Sequence, residues 1–82
     1  HTDVVPVSKG WSADPFEAII KDEKLFGRGA CDMKGFIACT LAFAPIYAKA
    51  NSDRDIHFSY TFDEETACIG APILIAELKK SK

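Results

Sequence analysis

Three clusters of polar side chains in the sequence have the residue types that metal-dependent hydrolysis requires. His1 and Asp3 stand two positions apart, Asp32 follows a glycine-rich stretch, and acidic residues occupy positions 63–65. An imidazole combined with carboxylates, without cysteines at motif spacing, is a ligand set that zinc hydrolases use. A single acidic run is more often a solvated turn. The three clusters together, however, predict a zinc-dependent hydrolytic site.

Each residue type suggests a role in such a site. His1 offers a nitrogen ligand, and Asp3 could hold the imidazole through its other ring nitrogen. Asp32 has two carboxylate oxygens, which could bridge two metal ions about 3.5–4 Å apart. Adjacent residues beyond a strand end point in different directions, so one of Glu64 and Glu65 could bind metal while the other acts as a base.

The glycines at positions 27 and 29 allow a second interpretation, a phosphate-binding loop. The position that corresponds to the third glycine of a GxGxxG motif is Asp32, and no GK[ST] run follows. A carboxylate there would repel phosphate. We therefore favour the interpretation that these glycines permit a close approach of the backbone and so position Asp32.

The elements that must position these residues form an α/β pattern. Apolar runs on both sides of a polar turn predict a hairpin, and alternation of β-branched and aromatic residues predicts a strand. We expect a right-handed parallel crossover between the outer strands, with the site at their C-terminal ends. The predicted elements are a strand end over 1–5, a hairpin over 16–26, a helix over 35–50 kinked at Pro45 and ended by 51–53, a strand over 56–62 and a helix over 71–80.

Composition excludes several classes of protein. The 82 residues are 48% hydrophobic and 27% charged, which is typical of soluble globular proteins rather than disordered or collagen-like chains. The net charge of −2 provides no basic field for nucleic acid or anionic lipid. No apolar run reaches the roughly 18–20 residues of a membrane span. We therefore expect neither a nucleic-acid nor a membrane partner. Three widely spaced cysteines predict free buried thiols in a cytoplasmic protein.

Four stretches of the sequence carry recognisable motifs in a fixed order. They are His1-Thr2-Asp3-Val4-Val5-Pro6-Val7, Trp11 with Asp14-Pro15-Phe16, Leu25-Phe26-Gly27-Arg28-Gly29-Ala30-Cys31-Asp32-Met33-Lys34-Gly35, and Thr61-Phe62-Asp63-Glu64-Glu65-Thr66. Together they resemble the co-catalytic zinc deacylases and exopeptidases, which include aminoacylase, succinyl-diaminopimelate desuccinylase and glutamate carboxypeptidase. The resemblance implies part of an α/β zinc-exopeptidase-like catalytic domain with parallel strands, one hairpin and two helices.

The resemblance also implies a role for each candidate residue. His1 corresponds to the histidine ligand of one zinc ion, and Asp3 to the catalytic-site carboxylate that orients it. Asp32 corresponds to the aspartate that bridges two Zn²⁺ ions, and the peptide bond after it is expected to be cis. Glu64 corresponds to the general base and Glu65 to the ligand of the second zinc ion. Co²⁺ or Mn²⁺ are possible substitutes for zinc.

Two further ligands that the resemblance implies have no counterpart in the sequence. They are an acidic residue shortly after Glu65 and a histidine near the C-terminus. His57 lies within a predicted strand, so we expect a structural role for it. Residues 1–82 are therefore expected to be a partial catalytic domain, inactive alone, without the inserted dimerisation domain and the C-terminal part. The full-length enzyme is expected to be a homodimer.

The run over 31–38 is most similar to the bacterial acetylornithine deacetylases of the family. The expected reaction is removal of the acetyl group from N-acetylornithine, giving ornithine and acetate in arginine biosynthesis. The alternative within the family is succinyl-diaminopimelate, another N-acyl amino acid or a peptide as substrate. The alternative of another class is a truncated folding or interaction unit without catalysis.

Overall fold

The structure, a computed structural model, describes residues 1–50 and 53–81. Within these residues a hairpin precedes two helices, which is consistent with the predicted α/β class. The elements are β1 (Ile19–Lys21), β2 (Lys24–Phe26), α1 (Gly35–Lys49) and α2 (Gly70–Lys80).

The hairpin predicted over 16–26 is confirmed, with its strands over 19–26. β1 and β2 are antiparallel, and Ile19 pairs with Phe26 across the two strands. The two turn residues, Asp22 and Glu23, have φ values of 49° and 59°. Positive φ at both central positions is the geometry of the tight turns whose twist matches that of a hairpin.

The two helices also lie where the sequence predicts them. α1 begins at Gly35 and continues through Pro45. It ends at Lys49, and the N–H of the next residue, Ala50, donates to the carbonyl oxygens of Ile46 and Tyr47. The predicted stop over 51–53 lies partly outside the described residues. α2 begins one residue before its predicted start and carries lysines in its last turn, where positive charge stabilises the helix dipole.

The segments over 1–5 and 56–62, predicted as outer strands, are not strands in the structure. One main-chain hydrogen bond joins them, from the N–H of Thr2 to the carbonyl oxygen of Thr61 at 3.0 Å. A strand exists through a ladder of such bonds, and this single bond between the two segments does not make one. The second segment instead lies along α1, where Tyr60 and Thr40 share a hydroxyl–hydroxyl hydrogen bond of 2.7 Å.

The described residues form a single layer. The chain measures 47 × 32 × 12 Å, and its smallest dimension is about the diameter of one helix with its side chains. Its radius of gyration is 16.3 Å, whereas a compact domain of this length has about 12 Å. Consequently no hydrophobic side chain among the described residues is fully buried. The three cysteines are free, as predicted, but exposed rather than buried, because no second layer covers them.

Neither of the helices in the described part of the chain is long and apolar enough to cross a membrane.

Candidate metal and active site

Asp32 lies in an irregular turn that connects the hairpin to α1. The turn spans Ala30–Lys34 and is closed by the N–H of Lys34, which donates to the carbonyl oxygen of Gly29 at 2.8 Å. Asp32 itself has extended backbone angles, and the peptide bond that follows it is cis, as the sequence resemblance implies. The turn therefore interrupts helical geometry at the residue that carries the carboxylate.

Gly29 allows this turn to approach the first segment of the chain. It is buried, and its φ of 78° belongs to the left-handed region that favours glycine. A Cβ atom at this position would lie 2.5 Å from Cγ1 of Val4. The absence of a side chain at Gly29 therefore lets the Asp32 turn pack against the segment that contains His1 and Asp3.

His1 is the centre of the cluster, and its side chain is only 7% exposed. Its Nδ1 lies 3.0 Å from the main-chain carbonyl oxygen of Asp3. Because a carbonyl oxygen only accepts, Nδ1 carries the hydrogen in this contact. Its Nε2 faces two carboxylates, at 3.1 Å from Oδ1 of Asp32 and 3.3 Å from Oε2 of Glu64. The ring is thus oriented with Nε2 toward the acidic groups.

The carboxylate of Asp3 has different partners from those the sequence predicts. Its Oδ1 accepts the N–H of Glu64 at 3.1 Å, and its Oδ2 accepts the N–H of Glu65 at 3.0 Å. The same Oδ1 is 3.5 Å from Nδ1 of His1, farther than the main-chain oxygen. The predicted proximity of Asp3 to the imidazole is found, but the closer contact is made by the Asp3 main chain.

The loop that carries the glutamates folds back before α2. The N–H of Gly70 donates to the carbonyl oxygen of Phe62 at 3.1 Å, and the N–H of Cys68 donates to that of Glu64 at 3.1 Å. A Cβ atom on Gly70 would lie 2.5 Å from the Phe62 carbonyl oxygen, so glycine is required for this approach. The loop consequently holds Glu64 and Glu65 at the end of the segment that runs beside Thr2.

The charges in the cluster shift two pKa values. Desolvation lowers the pKa of His1, but the Asp3 main-chain oxygen and the carboxylates of Glu64, Asp3 and Asp32 outweigh it and raise the pKa above its ordinary value. Desolvation raises the pKa of Asp3, but the N–H groups of Glu64 and Glu65 outweigh it and keep the pKa below its ordinary value. The site therefore favours a positive charge on His1 and a negative charge on Asp3.

The donor atoms fit a divalent cation. One ligand atom from each of His1, Asp32 and Glu65 lies within 4.8 Å of the others. Two ligands of a tetrahedral zinc ion, each about 2.1 Å from it, are about 3.4 Å apart. The 3.1 Å between the His1 nitrogen and the Asp32 oxygen is close to that separation. An imidazole nitrogen with carboxylate oxygens is also a donor set suited to zinc.

All five candidate residues predicted from the sequence therefore meet at one place, which the order of the motifs alone does not reveal. His57 lies apart from them, on the segment that runs along α1 between Ile56 and Phe58. Sequence reasoning missed the contact of Asp3 with two main-chain N–H groups, because a main-chain donor has no residue type that a pattern can detect.

Comparisons with known proteins identify one family and several similar sequences. The sequence profile of Peptidase family M20/M25/M40 matches residues 1–82. The succinyl-diaminopimelate desuccinylase of Buchnera aphidicola subsp. Acyrthosiphon pisum (strain APS) is 40% identical over 86 aligned positions, covering 100% of this chain and 23% of the relative. That of Zymomonas mobilis is 43% identical over 81 positions, covering 98% of this chain and 21% of the relative. That of Acidiphilium cryptum is 54% identical over 65 positions, covering 79% and 17%.

The chain thus spans less than a quarter of the length of these relatives. No solved structure matches it significantly.

Proposed function

Because the chain belongs to Peptidase family M20/M25/M40, we propose that it is part of a metal-dependent amide hydrolase that acts on an N-acyl amino acid. The observation that carries this proposal is the convergence of His1, Asp32, Glu64 and Glu65 on one point. The Nε2 of His1 lies 3.1 Å and 3.3 Å from carboxylate oxygens of two of them. These residues come from distant parts of the sequence, and their meeting supports a common chemical task.

His1, Asp32 and Glu65 are the proposed metal ligands. The three residues would hold the metal, proposed to be two Zn²⁺ ions; Co²⁺ or Mn²⁺ could replace zinc. Bound divalent cations supply Lewis acidity, which polarises the acyl oxygen and lowers the pKa of a water molecule toward about 7. The hydrogen bond from Nδ1 of His1 to the Asp3 carbonyl leaves Nε2 as the ligand atom.

Glu64 is the proposed general base. Its carboxylate lies at the cluster, 3.3 Å from Nε2 of His1, while its main-chain N–H is held by Asp3. It takes a proton from the attacking water, whose oxygen forms a bond to the acyl carbon. As the carbon–nitrogen bond of the amide breaks, Glu64 returns the proton to the leaving amine. The products are a carboxylic acid and an amino acid with a free amine.

The relatives support an N-succinyl amino acid as the substrate, since the similar proteins from three organisms are named succinyl-diaminopimelate desuccinylase. The resemblance over 31–38 predicts N-acetylornithine instead, with ornithine and acetate as products, but these relatives do not support that substrate. A panel of N-succinyl and N-acetyl amino acids assayed with the intact protein separates the two. Release of succinate in preference to acetate is expected.

We also propose that the single layer is completed by further chain. A layer 12 Å thick with no fully buried hydrophobic side chain among its described residues leaves both faces open. In the intact protein, the segments over 1–5 and 56–62 would then pair as strands of a parallel sheet. The intact mass of the protein tests this proposal directly. A mass near 9.0 kDa would instead favour a non-catalytic folding or interaction unit.

The proposed homodimer and cytoplasmic location concern the intact enzyme. The molar mass of the intact protein in solution tests the dimer, and cell fractionation tests the location.

The roles of Glu64 and Asp32 are separated by two variants of the intact protein. Glu64→Gln is expected to retain its metal, measured by elemental analysis, and to lose about 10²–10⁴-fold in kcat, the usual contribution of a general base. Asp32→Asn is expected to lose metal. Glu77→Gln is the matched control, because Glu77 is exposed on α2 and its carboxylate pairs with Lys80. Normal turnover by Glu64→Gln would refute the assigned role.

A further inference from the structure

We infer that Asp3 is a positioning residue for the glutamate pair: its carboxylate fixes Glu64 and Glu65 through their main-chain N–H groups and thereby sets both relative to His1. The consequence for catalysis rests on the proposed function. The contact itself rests only on the geometry.

The main chain and the side chain of Asp3 contact different partners, which supports this inference. Its main-chain carbonyl oxygen, 3.0 Å from Nδ1, already orients the His1 ring. Its two carboxylate oxygens each accept a different N–H, from Glu64 at 3.1 Å and from Glu65 at 3.0 Å. The carboxylate oxygen is 3.5 Å from the ring nitrogen, beyond a good hydrogen bond. The side chain therefore contacts chiefly the loop over 63–69 that carries the two glutamates, here called the glutamate loop.

The glutamate loop has few other ties to the segment that contains His1. Its other main-chain bonds among the described residues are internal, such as that from the N–H of Ile69 to the carbonyl oxygen of Asp63 at 3.1 Å. The main-chain link outside the loop is between Thr2 and Thr61. Two successive N–H groups that point the same way form an anion-binding concavity. In this protein the anion they bind is the Asp3 carboxylate.

The two hydrogen bonds to Asp3 fix the main-chain positions from which the side chains of Glu64 and Glu65 extend. With both N–H groups held, the side chain of Glu64 reaches Nε2 of His1 at 3.3 Å, and that of Glu65 joins His1 and Asp32 within 4.8 Å. Asparagine at position 3 would keep one acceptor oxygen but present an NH₂ group to the other N–H. One of the two bonds would therefore be lost without a change in side-chain volume.

Amide hydrogen exchange of the intact, metal-free protein tests the inference, read by mass spectrometry with residue-level fragmentation. In Asp3→Asn, the N–H of Glu64, of Glu65 or of both is expected to exchange about 10–100-fold faster, which corresponds to loss of a charge-assisted hydrogen bond. Asp63→Asn is the matched control, since it removes the same charge from the loop itself and its side chain has no hydrogen-bond partner among the described residues. Unchanged exchange in Asp3→Asn would overturn the inference.

A measurement on the unaltered protein covers the case in which Asp3→Asn does not fold. The N–H groups of Glu64 and Glu65 should exchange at least tenfold more slowly, relative to their intrinsic rates, than that of Thr66, which donates to no described residue. Equal protection at the three positions would contradict the inference.

His1→Ala separates this inference from the proposed function. It should abolish binding of the metal held by His1 and leave the protection of the Glu64 and Glu65 amides unchanged. In the unaltered protein, protected Glu64 and Glu65 amides without any metal binding would refute the proposed function and leave the inference intact. Metal binding with unprotected amides would do the reverse.

Discussion

Replacing Gly29 by alanine probes the contact that joins the Asp32 turn to the first segment of the chain. The new Cβ atom would lie 2.5 Å from Cγ1 of Val4 and 3.3 Å from Cε of Lys34. The lysine end is flexible and can move aside, whereas Val4 is attached to the segment that contains Asp3. The substitution therefore forces the turn and the segment apart.

Two costs contribute to the expected loss of stability. An L-residue in the left-handed region, at the Gly29 φ of 78°, costs about 1–2 kcal/mol. Overpacking against Val4 costs about 1–3 kcal/mol more. Gly29→Ala should therefore lower the free energy of unfolding by about 2–5 kcal/mol, before the smaller gain from a less flexible unfolded chain.

Gly10→Ala is the matched control, because Gly10 also has positive φ, 97°, but nothing within 4 Å of the added Cβ. It shares the backbone strain and the unfolded-state gain, so the difference between the two variants isolates the contact with Val4. Denaturant unfolding of the intact protein should show Gly29→Ala to be less stable than Gly10→Ala by about 1–3 kcal/mol. Its metal affinity should fall as well, since His1 and Asp32 move apart.

Val4→Ala completes the test, because it removes the atom that the new methyl group meets. In the Gly29→Ala background it should cost less than it does alone, and the coupling should be about 1–3 kcal/mol. Additive effects, or equal losses for Gly29→Ala and Gly10→Ala, would refute the reasoning that this contact positions the site.

Two further predictions concern α1 and the histidine. Tyr60→Phe removes the 2.7 Å hydrogen bond to Thr40 and should lower the free energy of unfolding by about 0.5–1.5 kcal/mol, measured by denaturant unfolding. Metal affinity should fall about tenfold per pH unit below the raised pKa of His1, because metal displaces one proton from the imidazole. Protonation persists above the ordinary value of 6.5, so the loss should begin at a higher pH than for a free histidine, as metal titrations from pH 6 to 8 would show.

Each of these predictions has its own check. Tyr47→Phe is the control for the hydroxyl, since Tyr47 makes ring contacts with Phe43 and Phe58 but its hydroxyl has no partner among the described residues. Equal stability of Tyr60→Phe and Tyr47→Phe would contradict the first prediction. A metal affinity that does not change between pH 6 and pH 8 would contradict the second.

Local elements were predictable where the signal lies within a few residues. The hairpin follows from two apolar runs around Asp22 and Glu23, and α1 from a long apolar stretch that begins at Gly35. The strand predicted over 56–62 is not a strand in the structure, although the alternation in its sequence is clear. A strand needs a ladder of main-chain hydrogen bonds to a neighbouring strand, and the segments over 1–5 and 56–62 share one such bond, between Thr2 and Thr61.

In the candidate site, too, residue types were predictable from the sequence and contacts between distant segments were not. Residue types alone indicated zinc chemistry, because imidazole and carboxylate are the ligands that zinc accepts. The roles of Glu64 and Glu65 could be divided only by the family resemblance, since the two have the same side chain. The double contact of Asp3 with their N–H groups was not predictable, because main-chain donors are common to nearly all residues.

The sequence by itself determined the hairpin, the two helices and the types of ligand atom available at the candidate site, because turn geometry, helix formation and ligand type depend on residues close in the chain. The tertiary structure decided which atoms meet. His1 and Asp32 are 31 positions apart, and Asp3 and Glu64 are 61 positions apart. Such contacts depend on the path of the backbone and on the close approach at Gly29, and no pattern of residue types along the chain encodes a distance between atoms.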